Sequence, residues 1–109
     1  MPSKIRFTEH FKKEFKRLSK KYTSLRDDMK ELVDSLEENP IIGTPLGSDV
    51  YKIRLAIKSK NKGKSNGARV ITYLVDKNKI VYLISIYDKS EKISISDIEI
   101  KSIIASVSG

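Results

Sequence analysis

The sequence predicts an α+β fold in which a helical hairpin packs on one face of a mainly antiparallel, twisted sheet. Apolar residues recur at helical spacing over the first third, at strand lengths in three later segments, and at helical spacing again near the end. Because strands and helices are segregated along the chain, the favoured layered arrangement has the helices packed on one face of the sheet. The predicted order is strand, helix, helix, three strands, helix, with the opposite face of the sheet free.

The N-terminal third predicts a short strand at residues 4–7, followed by two helices. Thr8 suits the N-cap of the first helix, because its hydroxyl can accept hydrogen bonds from the free amides of the first turn. The apolar side of this helix is formed by Phe11, Phe15, Leu18 and Tyr22. Ser24 marks the start of the second helix, and Pro40 ends it.

Breaker residues and strand patterns alternate through the rest of the chain. Residues 39–49 contain two prolines and two glycines and predict an irregular connection. Strands are predicted at residues 51–58, 68–75 and 80–87. The link between the first two is rich in Lys, Gly and Asn and predicts a mobile loop, whereas residues 76–79 predict a tight hairpin link. Ser96 with Glu99 forms a capping box for a final helix.

Composition limits the possible functions. The 109 residues suit a single domain, 1–109, and no apolar run approaches the ~20 residues that span a bilayer. The N-terminus lacks a secretory pattern, so we expect a cytoplasmic protein without membrane contact. The absence of cysteine and the single histidine exclude thiolate and multi-histidine metal sites, and no cofactor or metal is predicted. A net charge of +8 favours phosphate polymers or an acidic protein as partner.

The stretch from residue 50 to residue 75 is strongly cationic. It contains Lys52, Arg54, Lys58, Lys60, Lys62, Lys64 and Arg69 and no acidic residue. Strand alternation places Lys52 and Arg54 on the face opposite Ile53. Their positive charges repel one another unless an anion binds, and their separation of about 6 to 7 Å is close to the phosphate step of an extended nucleic acid. This pattern indicates RNA or DNA binding.

The segments VYKIRL, GARVITYLV and IVYLISIYDKSEKIS, in that order, resemble the RelE/ParE superfamily of toxins from bacterial toxin–antitoxin pairs, particularly its HigB-like RelE branch. With the helical hairpin and the terminal helix, the resemblance covers nearly the whole chain. It implies a RelE-like fold and a ribosome-dependent, metal-independent endoribonuclease that cuts mRNA. It also implies inhibition by a cognate antitoxin, which we expect to be of the helix-turn-helix type. In the ParE branch a similar scaffold inhibits DNA gyrase, so the target stays open.

The resemblance also implies roles for three cationic residues. Lys52 matches a position for proton transfer, and Arg54 matches one for phosphate or transition-state contact. Arg69, at the head of the next strand, could bind the scissile phosphate through both guanidinium donors. The alternative for Arg69 is an ordinary salt bridge at a sheet edge.

Tyr87 and Lys89 follow the last strand, where the family often places its acid, stacking or phosphate-binding groups. Tyr87 could stack on a splayed base, and Lys89 could exchange a proton if neighbouring cations lower its pKa. The alternative for Tyr87 is packing at the core or its rim. The RelE pattern has a basic pair and a later tyrosine where this chain has Asp88 and Ile95, so the identity of the acid stays open.

The remaining charged residues have weaker assignments. Lys58, Lys60, Lys62 and Lys64 are predicted to hold RNA backbone nonspecifically or to form a solvated loop. Glu91 is expected to pair with a cation rather than act as a base, and His10 is expected at the surface.

Three hypotheses follow for function. The leading one is the RelE/HigB-type nuclease, with the ribosome, mRNA and an antitoxin as partners. The second is a ParE-like gyrase inhibitor. The third is a nonenzymatic basic protein whose sheet only binds an acidic antitoxin.

Overall fold

Five strands of the described chain form one sheet that carries helices on both faces. The computed structural model describes residues 3–60, 67–92 and 94–108. Its elements are β1 (Lys4–Phe7), α1 (Glu9–Lys21), α2 (Leu25–Glu38), β2 (Thr44–Gly47), β3 (Val50–Leu55), β4 (Ala68–Val75), β5 (Ile80–Asp88) and α3 (Asp97–Ser108). The strand order is β1-β5-β4-β3-β2, with β1 parallel to β5 and every other pair antiparallel. The α+β class and the mainly antiparallel sheet are therefore confirmed.

The main core lies between the helical hairpin and the sheet. Leu18 of α1 and Leu25 and Leu36 of α2 are fully buried against strand residues that include Val70 and Leu83. The helix boundaries agree with the sequence: the Phe11 amide donates to Thr8 Oγ1 at 3.1 Å, and α2 ends at Glu38, before Pro40. The predicted hairpin is thus held by the apolar stripes that identified it.

The opposite face of the sheet is not free. Ile100 and Ile103 of α3 form a second apolar cluster with Ile71, Ile84 and Tyr87 of β4 and β5. The expectation of a free face is wrong over these two strands, because they carry apolar residues on both faces and so need cover on both. The side of β3 that carries Lys52 and Arg54 contributes only Val50 to this cluster.

One strand was missing from the prediction. Thr44 and Pro45 of β2 pair with Lys52 and Tyr51 of β3, and the register shifts between Pro45 and Gly47. Proline is tolerated there because β2 is an edge strand. Gly43, at a φ of +97°, precedes β2, and a Cβ on it would lie 2.4 Å from the Lys52 carbonyl oxygen. Only glycine permits this approach of the connection to β3.

The links between the later elements largely agree with the sequence. Strand β3 ends at Leu55 rather than residue 58, and Lys58–Lys60 form a 3₁₀ turn instead. The predicted mobile loop falls mostly on residues 61–66, which lie outside the described residues. The tight link after β4 is a 3₁₀ turn, Asp76–Asn78, closed by left-handed Lys79. The reciprocal hydrogen bonds between Ser96 and Glu99 confirm the capping box.

In the described ranges, none of the helices has the length and apolar character needed to cross a bilayer.

Replacing Leu18 with Ala should lower the free energy of unfolding by about 2 to 5 kcal/mol, because a fully buried leucine leaves a cavity between α1 and the sheet. Urea denaturation followed by circular dichroism measures this change. Lys16→Ala on the exposed side of the same helix is the control and should stay within about 0.5 kcal/mol of the parent protein. Equal effects of the two substitutions would contradict this packing.

Candidate functional site

The register of three neighbouring strands brings Arg54, Arg69 and Tyr87 into one line across the sheet. Arg54 of β3 is opposite Arg69 of β4, and Arg69 is opposite Tyr87 of β5. Residues directly opposite on neighbouring strands point to the same face, with Cβ atoms about 4.5 to 5.5 Å apart. We call these three residues the cross-strand row. The structure thus groups three of the predicted site residues.

Arg69 is the most unusual member of the row. The residue is only 5% exposed, yet the one side-chain hydrogen bond that it forms among the described residues goes from Nη1 to the Ala68 carbonyl oxygen of its own strand, at 3.2 Å. No carboxylate of the described chain lies within ion-pair distance of it. Arg69 therefore does not form the salt bridge that was the predicted alternative, at least with any carboxylate of the described residues. A buried guanidinium without a carboxylate is unfavourable by itself and favours binding of an anion.

Two cations of β3 extend this charge along the same face. Lys52 and Arg54 flank Ile53, which points into the core beneath the helices, so both point to the face of the cross-strand row. Lys52 is half-buried and faces Ile71 across β4, whereas Arg54 is exposed. Neither forms an ion pair with a carboxylate in the described part of the chain.

On the helical side of the molecule, Glu91 pairs with two cations of α1. Arg17 and Lys21 of α1 bind Glu91 at 2.9 and 3.2 Å, and these bonds lower the pKa of that carboxyl. Glu91 is therefore a structural partner, as the sequence indicated. His10 is exposed at the start of α1, also as expected.

Tyr87 is packed rather than open to a base. The residue is 4% exposed within the cluster under α3, which is the packing alternative that the sequence left open. Burial raises the pKa of its hydroxyl, although the positive charges of Arg69 and Lys92 act in the opposite direction. In this conformation the ring has no face available for stacking, while the phenol retains its proton at neutral pH.

Lys89 lies in the turn directly after β5. It is half-buried, and its amide donates to the Gly67 carbonyl oxygen at 3.2 Å. Its ammonium forms no ion pair with a carboxylate of the residues that the structure describes. Nearby, Lys92 binds Glu99 of α3 at 2.9 Å. Lys89 is therefore another cation beside the row that remains available to an anion.

The lysines predicted to hold RNA backbone have different surroundings. Lys58 binds Glu31 at 2.9 Å with both side chains exposed. Lys60 binds Asp88 at 2.8 Å, and its side chain is only 13% exposed, so it supports the structure on the helical side. Lys62 and Lys64 lie outside the described residues.

Asp88 is an important residue whose role the sequence did not reveal. Its side chain is fully buried and accepts hydrogen bonds from Tyr22, Lys60 and Ser90. Burial by itself would raise the pKa of this carboxyl, but these hydrogen bonds outweigh it and hold the pKa well below its usual range. The available signal was an aspartate directly after an apolar strand in a basic chain, but its donors are distant in sequence.

Among the residues that the structure describes, no three His, Cys, Asp or Glu side chains cluster as metal ligands would.

Comparison with known proteins gives consistent matches. The family model for the RelE toxin of the RelE/RelB toxin–antitoxin system matches residues 8–107. An arginine-to-alanine double mutant of the E. coli toxin RelE in the free state has 22% sequence identity and a TM-score of 0.66, with 98% of this chain and 99% of that chain covered.

Two structures of complexes are also similar. The intact E. coli RelBE toxin–antitoxin complex matches at 25% identity and a TM-score of 0.60, over 79% of this chain and 95% of that one. The Mycobacterium tuberculosis RelBE2 toxin–antitoxin complex matches at 17% identity and the same TM-score of 0.60, over 81% and 99%. The RelE-like fold is confirmed, and the HigB-like branch stays a prediction.

Replacing Arg69 with Met should leave the free energy of unfolding unchanged or raise it by about 1 kcal/mol, because an apolar side chain removes a buried charge that has no carboxylate partner in the described ranges. Urea denaturation measures it, with Arg54→Met at the exposed neighbour as control. A loss above about 2 kcal/mol for Arg69→Met would show that Arg69 is a structural residue of the folded chain.

Asp88 should contribute to acid sensitivity. Since its pKa is lower in the folded chain than in the unfolded chain, its stabilising contribution is complete above about pH 4 and is lost as the pH falls further. Between pH 6 and pH 3 the free energy of unfolding of Asp88→Asn should therefore fall less than that of the parent protein, by on the order of 1 kcal/mol. Urea titrations at each pH measure this difference. Asp34→Asn on the exposed side of α2 is the control. If the free energy of unfolding falls equally between pH 6 and pH 3 for Asp88→Asn and for the parent protein, the assignment is contradicted.

Proposed function

This chain belongs to the RelE family of toxins from toxin–antitoxin systems, and we propose that it is a metal-independent endoribonuclease that cuts mRNA on the ribosome. The observation that carries the proposal is the buried guanidinium of Arg69 between Arg54 and Tyr87, which has no carboxylate partner among the described residues. Its charge is complementary to one phosphate of an extended strand. The cognate antitoxin, of the helix-turn-helix type, would inhibit the toxin by binding it.

The proposed reaction is attack of an RNA 2′-hydroxyl on the adjacent phosphorus. The new O–P bond forms as the bond to the 5′-oxygen breaks, leaving a 2′,3′-cyclic phosphate and a free 5′-hydroxyl. Extra negative charge develops on the phosphate oxygens in the transition state, and preorganised donors stabilise it best. Arg69 and Arg54 supply these donors from opposite positions on paired strands. The cations thereby provide the charge stabilisation that a metal ion provides in other nucleases.

Two proton transfers complete the reaction. Lys52, two residues before Arg54 in β3, is proposed to mediate the transfer of the proton from the 2′-hydroxyl. The leaving 5′-oxygen requires a proton, and Tyr87 or Lys89 is proposed to donate it. Tyr87, like an ordinary tyrosine, is protonated at neutral pH, which is the state that an acid requires, and burial raises its pKa further.

The charge distribution supports a large anionic partner. Lys52, Arg54 and Arg69 lie on one face of the sheet and form no ion pair with a carboxylate of the described residues, whereas Arg17 and Lys21 on α1 bind Glu91. An RNA strand on the ribosome is complementary in charge to the face of the cross-strand row. The similar E. coli RelBE complex contains a toxin with its antitoxin, which supports an antitoxin as the second partner of this chain.

The direct test is cleavage of mRNA on purified ribosomes stalled at a defined codon. The parent protein should cut the message, and the cleavage rate should not depend on which divalent metal ion is present in the ribosome buffer. Arg54→Met and Arg69→Met should each lower the single-turnover rate by about 100-fold or more, because each removes a donor to the transition state. Arg26→Met, which removes the same charge from the exposed side of α2, is the matched control and should keep the parent rate.

Two outcomes would contradict this proposal. Intact message at saturating protein would exclude the nuclease, and inhibition of gyrase supercoiling by the same preparation would then favour the ParE-like alternative. Equal rate losses for Arg26→Met and Arg69→Met would show that net charge, rather than the cross-strand row, determines activity.

A further inference from the structure

We infer that Asp88 is a positioning residue, which fixes the turn after β5 and thereby places Lys89 beside the cross-strand row. The inference rests on the proposed function and deepens it. Asp88 and Tyr87 are consecutive in β5 and point to opposite faces of the sheet. Tyr87 belongs to the row, while the Asp88 carboxylate binds groups on the helical side.

The carboxylate of Asp88 joins three parts of the chain. Its Oδ1 accepts from Lys60 Nζ at 2.8 Å and from the Ser90 hydroxyl at 2.7 Å. Its Oδ2 accepts from the Tyr22 hydroxyl at the end of α1, with Lys21 Nζ 3.9 Å away. Both oxygens are therefore bound by donors, and the bonds connect α1, the 3₁₀ turn Lys58–Lys60 and the turn after β5.

The same residue organises the backbone that follows it. The Ser90 amide donates to Asp88 Oδ1 at 2.9 Å, and the amides of Glu91 and Lys92 donate to the Asp88 carbonyl oxygen at 2.9 and 3.0 Å. Glu91 is in turn held by Arg17 of α1. The turn that contains Lys89 is thus held by Asp88 at its start and, through the Glu91–Arg17 ion pair, by α1.

Asp88 and Lys89 also hold both residues that flank segment 61–66. Lys60, on the N-terminal side, binds the Asp88 carboxylate, and Gly67, on the C-terminal side, accepts from the Lys89 amide. A Cβ on Gly67 would lie 2.3 Å from the Leu55 carbonyl oxygen, so Gly67 itself is closely packed. Strand β4, which begins at Ala68 and carries Arg69, is therefore hydrogen-bonded through the preceding Gly67 to the turn that Asp88 stabilises.

Asparagine cannot replace these interactions. The carboxylate accepts on both oxygens, whereas an amide has one acceptor oxygen and one NH₂ donor. In Asp88→Asn the NH₂ group faces either the Tyr22 hydroxyl, whose oxygen can accept from it, or the Lys60 ammonium and the Ser90 amide, which cannot. In either orientation the negative charge that binds Lys60 is lost, and this loss weakens the network that holds the turn. Displacement of a reactive group by about 1 Å can lower a rate by about 100-fold.

The test compares Asp88→Asn with Asp28→Asn in the ribosome cleavage assay and by NMR. Asp28 is the buried-carboxylate control: it is 2% exposed, its Oδ2 accepts hydrogen bonds from the Ser24 hydroxyl and the Lys58 amide, and none of its hydrogen bonds among the described residues goes to β5. Assays are run at a temperature where circular dichroism shows all proteins folded. Asp88→Asn should lower kcat about 100-fold with KM within about threefold, and Asp28→Asn should keep both constants. Amide hydrogen exchange in Asp88→Asn should accelerate at Ser90 and Glu91 and stay unchanged in α2.

Each result decides the inference. An unchanged kcat in Asp88→Asn, or an equal loss in Asp28→Asn, overturns it, because the effect would then be absent or due to general destabilisation. If the parent protein cuts no message, the proposed nuclease function fails separately, and hydrogen exchange decides the positioning role. Unchanged exchange at Ser90 and Glu91 then overturns the inference, and faster exchange confined to that turn supports it.

Discussion

The pairing register of β3, β4 and β5 is the constraint on which the candidate site depends. Ile53 and Val70 are partners in this register, as are Val70 and Ile86, and all three face the helical hairpin. Burying these apolar residues fixes the register, since a slip of one residue would move every side chain of a strand to the other face. The same pairing aligns Arg54, Arg69 and Tyr87 on the opposite face. Packing beneath the helices therefore determines which charges meet above the sheet.

The buried charges on the two sides of the sheet differ in their partners, and this difference connects stability with function. On the helical side, Asp88 and Glu91 bind cations from α1 and the 3₁₀ turn and so stabilise the arrangement of the elements. On the other side, Arg69 is buried without a carboxylate among the described residues. Such a charge reduces the stability of the free protein but preorganises donors for a phosphate. We regard this trade-off as the physical basis of the proposed nuclease.

The sequence predicted those features that follow from local pattern. Alternation along β3 correctly placed Lys52 and Arg54 opposite Ile53, and the capping signals correctly placed the helices. Features that depend on residues distant in sequence were not predictable in the same way. Burial of Tyr87 requires α3, and the network of Asp88 requires donors at positions 22 and 60. Strand β2 was missed because Pro45 is tolerated only at a sheet edge, and edge position is a property of the whole sheet.

The most direct measurement is an NMR titration of the arginine side chains with a short 2′-O-methylated RNA, which keeps its phosphates but cannot be cleaved. We expect the Nε–Hε signals of Arg54 and Arg69 to shift together with one dissociation constant, which increases as salt is added. The Arg26 signal on α2 should stay unchanged under the same conditions. Independent shifts of Arg54 and Arg69, or a shift of Arg26 alone, would contradict a shared phosphate site across the strands.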